Sequence, residues 1–190
     1  MRFYVGFCMP YMSDTYLDKK ILHDYELAQE KFKGFELAHR VLRPEDLIYL
    51  REQSVVYKKA VLAVQEIILP AVRKNCPVCP YGTCCRLSTP ELSIYIAGSV
   101  GGFGLTDYLL VRCDSKLPAP DFANGPRNLC AFWDNGCRLP LDCRSLLCLQ
   151  FFCQPIRRDL DMGLVNNRIA KVQAVVNDFS MSQLLQKDHH

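Results

Sequence analysis

The sequence predicts a mainly α-helical single domain over residues 1–190, in which helices at both ends support an irregular cysteine-rich segment. Three observations carry that prediction. Apolar residues recur at intervals near 3.6 over two long stretches before residue 75 and again after residue 155. Ten of the 11 cysteines lie between Asn75 and Cys153, where proline and glycine interrupt any regular period. The composition, 49% apolar and 23% charged over 190 residues, is that of a globular chain long enough to bury a core without disulfides.

Residues 1–10 read as an extended lead-in ending at Pro10. Ser13 or Asp14 can then cap a helix whose apolar positions are Leu17, Ile21, Leu22, Tyr25, Leu27, Phe32, Phe35 and Ala38. Gly34 weakens this helix without ending it. Arg43-Pro44-Glu45-Asp46 breaks the pattern and restarts it, because proline suits a first helical position and the carboxylates complement the positive helix end. The second helix is expected from about Pro44 to about Leu69, with Leu47, Leu50, Val55, Tyr57, Val61, Val64 and Ile68 as a broad apolar stripe. With so short a connection, the two segments within residues 11–74 are expected to pack as an antiparallel hairpin.

The cysteine-rich segment, residues 75–155, follows. Ser88 and Glu91 have capping-box spacing, which predicts a short helix to about Ala97. The glycine-rich run Gly98-Ser99-Val100-Gly101-Gly102-Phe103-Gly104 reads as a loop, since it matches neither the phosphate-binding nor the dinucleotide-binding signature. Leu105 to Val111 fits a short strand or a helical turn equally well. Prolines 118, 120 and 126 mark a turn-rich connection. Asp134-Asn135-Gly136 predicts a tight turn that folds Cys130 back beside Cys137. Leu146 to Phe152 reads as the start of a helix or a buried turn, with Cys148 and Cys153 on one face. In residues 156–190, a last helix is expected from about Asp159 to about Phe179, with Leu164, Ile169, Val172, Val175, Val176 and Phe179 apolar. Residues 181–190 read as a frayed tail.

Charge and leader patterns narrow the function. The formal net charge is +3, spread along the chain with no dense Lys/Arg block, so neither nucleic acid nor an anionic membrane is indicated as a partner. The apolar run at the start is too short for a secretory signal, and Phe7 before Cys8 does not suit a lipoprotein site. No stretch offers the roughly 18 apolar residues of a membrane helix; the nearest, Ala60 to Val72, contains Gln65, Glu66 and Pro70. A cytoplasmic location is expected. In a reducing compartment, dense cysteines serve more often as metal ligands than as disulfides.

The first cysteine knot reads Cys76-Pro-Val-Cys79-Pro-Tyr-Gly-Thr-Cys84-Cys85. Two cysteines separated by two residues can aim both sulfurs at one point, and the prolines limit the conformational freedom lost on binding. The second knot holds Cys130, Cys137, Cys143, Cys148 and Cys153, with Cys113 between the two. His23 and His39 have no Cys or His neighbour at ligand spacing and read as surface or interfacial residues; Cys8 reads as a small buried hydrophobe.

The order of these motifs resembles the YkgJ-type cysteine-cluster family, described as zinc- or iron-chelating, and the cysteine cluster of flagellin lysine N-methylases. The resemblance covers residues 75–153, with Cys84-Cys85 and Cys143-Arg144 its most specific marks. The chain departs from the pattern in the four-residue gap from Cys79 to Cys84, in the short segment from Cys137 to Cys143, and in Leu139-Pro140-Leu141-Asp142 before Cys143-Arg144. The resemblance implies eight metal ligands: Cys76, Cys79, Cys84, Cys85, Cys130, Cys137, Cys143 and Cys148. Cys153 competes with Cys148, and Cys113 is an outside candidate. Two four-sulfur sites, or one cluster with neighbouring structural thiols, would satisfy the set.

An almost wholly sulfur ligand set suits zinc or an iron–sulfur cluster, 4Fe-4S foremost, and argues against magnesium or calcium. A metal-carrying protein serving electron transfer, metal handling or complex assembly, together with a protein partner, is the leading expectation. One alternative is an enzyme resembling the lysine N-methylases. It is weakened by the absence from the sequence of any legible acid–base pair or nucleophile–His arrangement, so no catalytic residue is assigned. The other is an interaction module with structural zinc, which would require a large apolar patch on the exposed face of the hairpin.

Overall fold

The computed structural model describes residues 14–75, 103–122, 130–132, 137–150, 152 and 154–179. Among these the fold is mainly α, with six helices and no strand. They are α1 (Asp14–Arg40), α2 (Pro44–Asn75), α3 (Leu105–Arg112), α4 (Leu146–Gln150), α5 (Gln154–Arg158) and α6 (Met162–Asp178), with a 3-10 turn at Leu141–Cys143 before α4. None of the helices is long and apolar enough to cross a membrane.

Helix α2 is the hub. Its buried residues Leu50, Tyr57, Val61, Val64 and Ile68 recur at three- and four-residue steps, which places them on one side of the helix. Against α2 pack α6, the 3-10 turn, α3, α5 and α4. Glu45 and Asp46 occupy its first turn as expected, and Arg43 Nε holds Asp46 Oδ2 at 2.8 Å. At its far end α2 does not stop near Leu69 but runs through Pro70 to Asn75. Pro70 is exposed, so the carbonyl it leaves without a helix partner can turn to water. The last turn is anchored by tertiary contacts: Asn75 Nδ2 donates to Ala71 O and to Asp159 Oδ2, both at 2.8 Å, and Lys74 pairs with Asp159 at 3.0 Å.

Helix α1 begins and ends close to expectation, but its main tertiary contact is with α3. The physical reason lies in aromatic packing. Phe35 stacks on Tyr108 of α3 with ring centroids 5.1 Å apart, and Phe32 meets Tyr108, Phe122 and Phe132 edge-on at 5.7, 6.1 and 6.4 Å. Edge-to-face aromatic contacts of this kind add to the area they bury. Tyr108 Oη also donates to Glu36, and Arg112 Nε reaches the same carboxylate at 3.2 Å.

The stretch 105–111, open between strand and helix in the sequence, is helical. Asp107 to Val111 are all buried, and a short run apolar on every side carries no period to read. Leu146 to Gln150 is likewise a helix, with Ser145 Oγ accepting from Cys148 N at 3.2 Å as an N-cap. The C-terminal helix starts three residues later than expected, because Asp161 caps it by accepting from Gly163 N and Leu164 N at 2.9 and 3.1 Å. Val165, Ile169 and Val172 face the core, while Leu164 is exposed. Val55 of α2, placed by its sequence in the apolar stripe, is exposed too. The expected helix at 88–97, the loop 98–102, the turn 134–136 and the tail lie outside the described residues.

Candidate metal centre

Five cysteines lie among the described residues: Cys113, Cys130, Cys137, Cys143 and Cys148. No disulfide joins any two of them. Cys76, Cys79, Cys84 and Cys85, together with Cys8 and Cys153, lie outside.

Cys113 ends α3 and Cys143 ends the 3-10 turn, and both come to the middle of α2. Their shared neighbour is Lys58. Its ammonium contacts Asp114 and Ser115, and Ser54 Oγ donates to Asp114 Oδ1 at 3.2 Å. Burial pushes the Cys113 thiol up, against the opposing influence of Ser54 and of the Lys58 charge. The Cys143 thiol is pushed up to about 11, again by burial, with Ser115 and Lys58 pulling the other way. Cys113 Sγ donates to Leu110 O at 3.4 Å, and Cys143 Sγ lies 3.5 Å from Asp142 Oδ1.

Cys137 and Cys148 form the second grouping. They are close enough that charge on Cys137 raises the Cys148 thiol, which burial has already pushed up and which Ser145 and Arg144 act to lower. Arg144 is a cationic neighbour of Cys148, and the buried Nε of Arg144 has no hydrogen-bond partner among the described residues. Tyr57 of α2 feels both Cys143 and Cys148, and its hydroxyl donates to Arg144 O at 2.9 Å. Cys130 is buried, and its Sγ accepts from Phe132 N at 3.5 Å. The chain does return after Cys130: Arg138 N donates to Phe132 O at 2.9 Å, which brings residues 132 and 138 together across the expected turn.

The Cys113, Cys143 and Cys148 thiols, held in the protonated form by burial, are poor nucleophiles. As ligands they would release protons on binding metal, and the Lys58 and Arg144 charges would favour the resulting thiolates. Among the described residues no three Cys, His, Asp or Glu side chains converge as a complete metal-holding group. A full four-ligand set would need cysteines outside the described residues.

One buried titratable group escaped the sequence reading. Asp107, in the first turn of α3, accepts from Leu146 N at 3.3 Å and so ties the start of α4 to α3. Burial pushes its carboxyl up to about 7, against the backbone N–H groups of Leu146 and Gly104 and the charge of Lys31. The signal available beforehand was an acidic residue three positions after Gly104 at the head of an apolar run, the place where a carboxylate turns back to helix N–H groups. Phe132 is fully buried, as a water-excluding aromatic should be, and Phe152 is partly buried against the same core.

Comparison of the chain with protein-family models, curated proteins and solved structures gives no match.

Proposed function

We propose that the chain is a cysteine-ligated metal-binding protein carrying zinc or an iron–sulfur cluster. Its role would be electron transfer, metal handling or complex assembly, with a protein partner in the cytoplasm. The observation that carries this reading is that Cys113 and Cys143 both lie by Lys58 of α2 and Cys143 and Cys148 by Tyr57, with Arg144 as a further cation beside Cys148. Soft sulfur donors without a described histidine beside them suit zinc or iron–sulfur chemistry. The resemblance of the cysteine order to the YkgJ-type family supports the same reading.

The eight candidate ligands fit two four-sulfur sites, or one cluster with neighbouring structural thiols.

The test is elemental analysis, acid-labile sulfide determination and a visible spectrum on protein purified without air. Zinc, or iron with sulfide and a brown absorbance, is the expected result. Replacing Cys76 and Cys79 together by serine should release metal, and so should replacing Cys143 and Cys148 together. Full metal content in both double variants, or wild-type protein that takes up neither zinc nor iron, would overturn the proposal. Metal uptake should also release protons, since the buried thiols must give them up.

A further inference from the structure

Among the described residues, Arg144 Nε is the one buried side-chain nitrogen or oxygen with no hydrogen-bond partner. None of the ion pairs among those residues includes Arg144 either. The residue is nonetheless fixed through its main chain. Tyr57 Oη, on a fully buried side chain of α2, donates to Arg144 O at 2.9 Å. On one side Cys143 N donates to Pro140 O at 3.0 Å, and on the other the fully buried Ser145 caps α4. A guanidinium N–H withdrawn from water loses its hydration, and only an acceptor compensates for that. Because the guanidinium keeps its charge, the acceptor that suits it best is an anion.

We infer that this acceptor is the sulfur of Cys148 as a metal-bound thiolate, which makes Arg144 a positioning residue of the candidate metal centre. The inference rests on the metal-binding reading above and adds to it which cation serves which sulfur. Three observations select Cys148. Arg144 immediately precedes the cap of α4, and Cys148 lies in the first turn of that helix, so one fixed connection carries both. Cys143 is adjacent in sequence but has its own cation: Ser115 and Lys58 act to lower its thiol, whereas at Cys148 that part is played by Ser145 and Arg144. The carboxylates beside these residues have other partners, Asp142 accepting from Cys143 Sγ at 3.5 Å and Asp107 from Leu146 N at 3.3 Å. A neutral thiol is a weak acceptor, and a thiolate takes a charge-assisted hydrogen bond. On metal binding the Cys148 proton leaves for solvent, Arg144 Nε gains its partner, and the guanidinium offsets the repulsion between the Cys148 sulfur and the neighbouring Cys137. Hydrogen bonds to ligand sulfurs tune metal affinity and, for a cluster, its potential.

Cobalt(II), added without air to the full chain freed of metal, tests it through two readouts: affinity, by titration against a competing chelator, and the thiolate-to-cobalt charge-transfer band in the near ultraviolet. Arg144→Met keeps the apolar stem and removes both the charge and the Nε–H, and circular dichroism checks that helix content is kept. Its affinity should fall by about tenfold to a hundredfold, the scale for losing a group that supports a metal ligand. Its band should also move to longer wavelength, because a sulfur lone pair relieved of an N–H donor lies higher in energy. That shift reads the sulfur itself, so a purely structural role for Arg144 would not produce it. Arg144→Lys, which keeps a cation, should recover part of the affinity. Equal affinity and an unmoved band in wild type and both variants would overturn the inference and leave the metal-binding reading standing. Failure of the wild type to bind cobalt, zinc or iron would overturn both. Sulfate that raises the thermal unfolding temperature of metal-free wild type but not of Arg144→Met would make the acceptor an anion from solution, which also overturns the inference.

Discussion

Asp107 offers a quantitative check on the described core. Replacing it by asparagine keeps the shape and removes the charge. In the folded chain its carboxyl sits at about 7 against an ordinary 3.8, with burial as the leading cause. The folded state therefore holds this proton more tightly than the unfolded state does, and between about pH 4 and pH 7 it binds more protons at this site. Stability must then fall as pH rises through that window, with the favourable contribution complete below about 4 and gone above about 7. The full difference corresponds to roughly 4 kcal/mol as an upper bound, at about 1.4 kcal/mol per pH unit. Asparagine offers one carbonyl oxygen where the carboxylate offers two, so Asp107→Asn forfeits part of the bonding to Leu146 N and Gly104 N and shifts stability by a constant. The informative quantity is thus the slope. Urea unfolding of both proteins from pH 4 to pH 8, followed by circular dichroism, should show wild type losing a few kcal/mol relative to the variant. Effects common to both, including release of any metal, cancel in the difference. Parallel profiles would refute the buried, neutral carboxyl.

Three further substitutions test the packing that positions the cysteines. Tyr57→Phe leaves the half-buried Arg144 O without its donor and should cost about 1 kcal/mol in urea unfolding, with little change in helix content. Leu149→Ala, in a fully buried position of α4, should cost about 2–5 kcal/mol by the same assay. Asp161→Ala removes the cap of α6 and should lower stability by about 1 kcal/mol, and Asp161→Asn should recover most of that loss.

Helix identity was legible in the sequence because amphipathic periodicity and end signals are local. Pro44 with Glu45 and Asp46 fixed the start of α2, and the steps from Leu50 to Ile68 gave its buried side. The mainly α class followed from the same patterns. The cysteine-rich composition and the candidate ligands were legible as chemistry alone, since a spacing says which sulfurs can converge locally but not which distant ones meet.

Tertiary structure decided the rest. The passage of α2 through Pro70 depends on Asp159 holding Asn75 and Lys74, an interaction 84 residues away in sequence that outweighs the local cost of proline. The packing of α1 on α3 was set by Phe32, Phe35 and Tyr108 finding one another, although the short connection alone favoured α1 beside α2. Asp107 acquires its raised pKa only because five consecutive residues of α3 are buried. Val55 and Leu164 fit an apolar period yet face solvent, since periodicity marks an amphipathic helix while the neighbouring elements decide how wide its covered face is. Likewise, Cys113 and Cys143 share Lys58 through the folding of α3 and the 3-10 turn onto α2. Local sequence specifies backbone propensity and donor chemistry. Burial and charge environment are properties of the assembled core, and they arise only when segments far apart in the chain exclude water together.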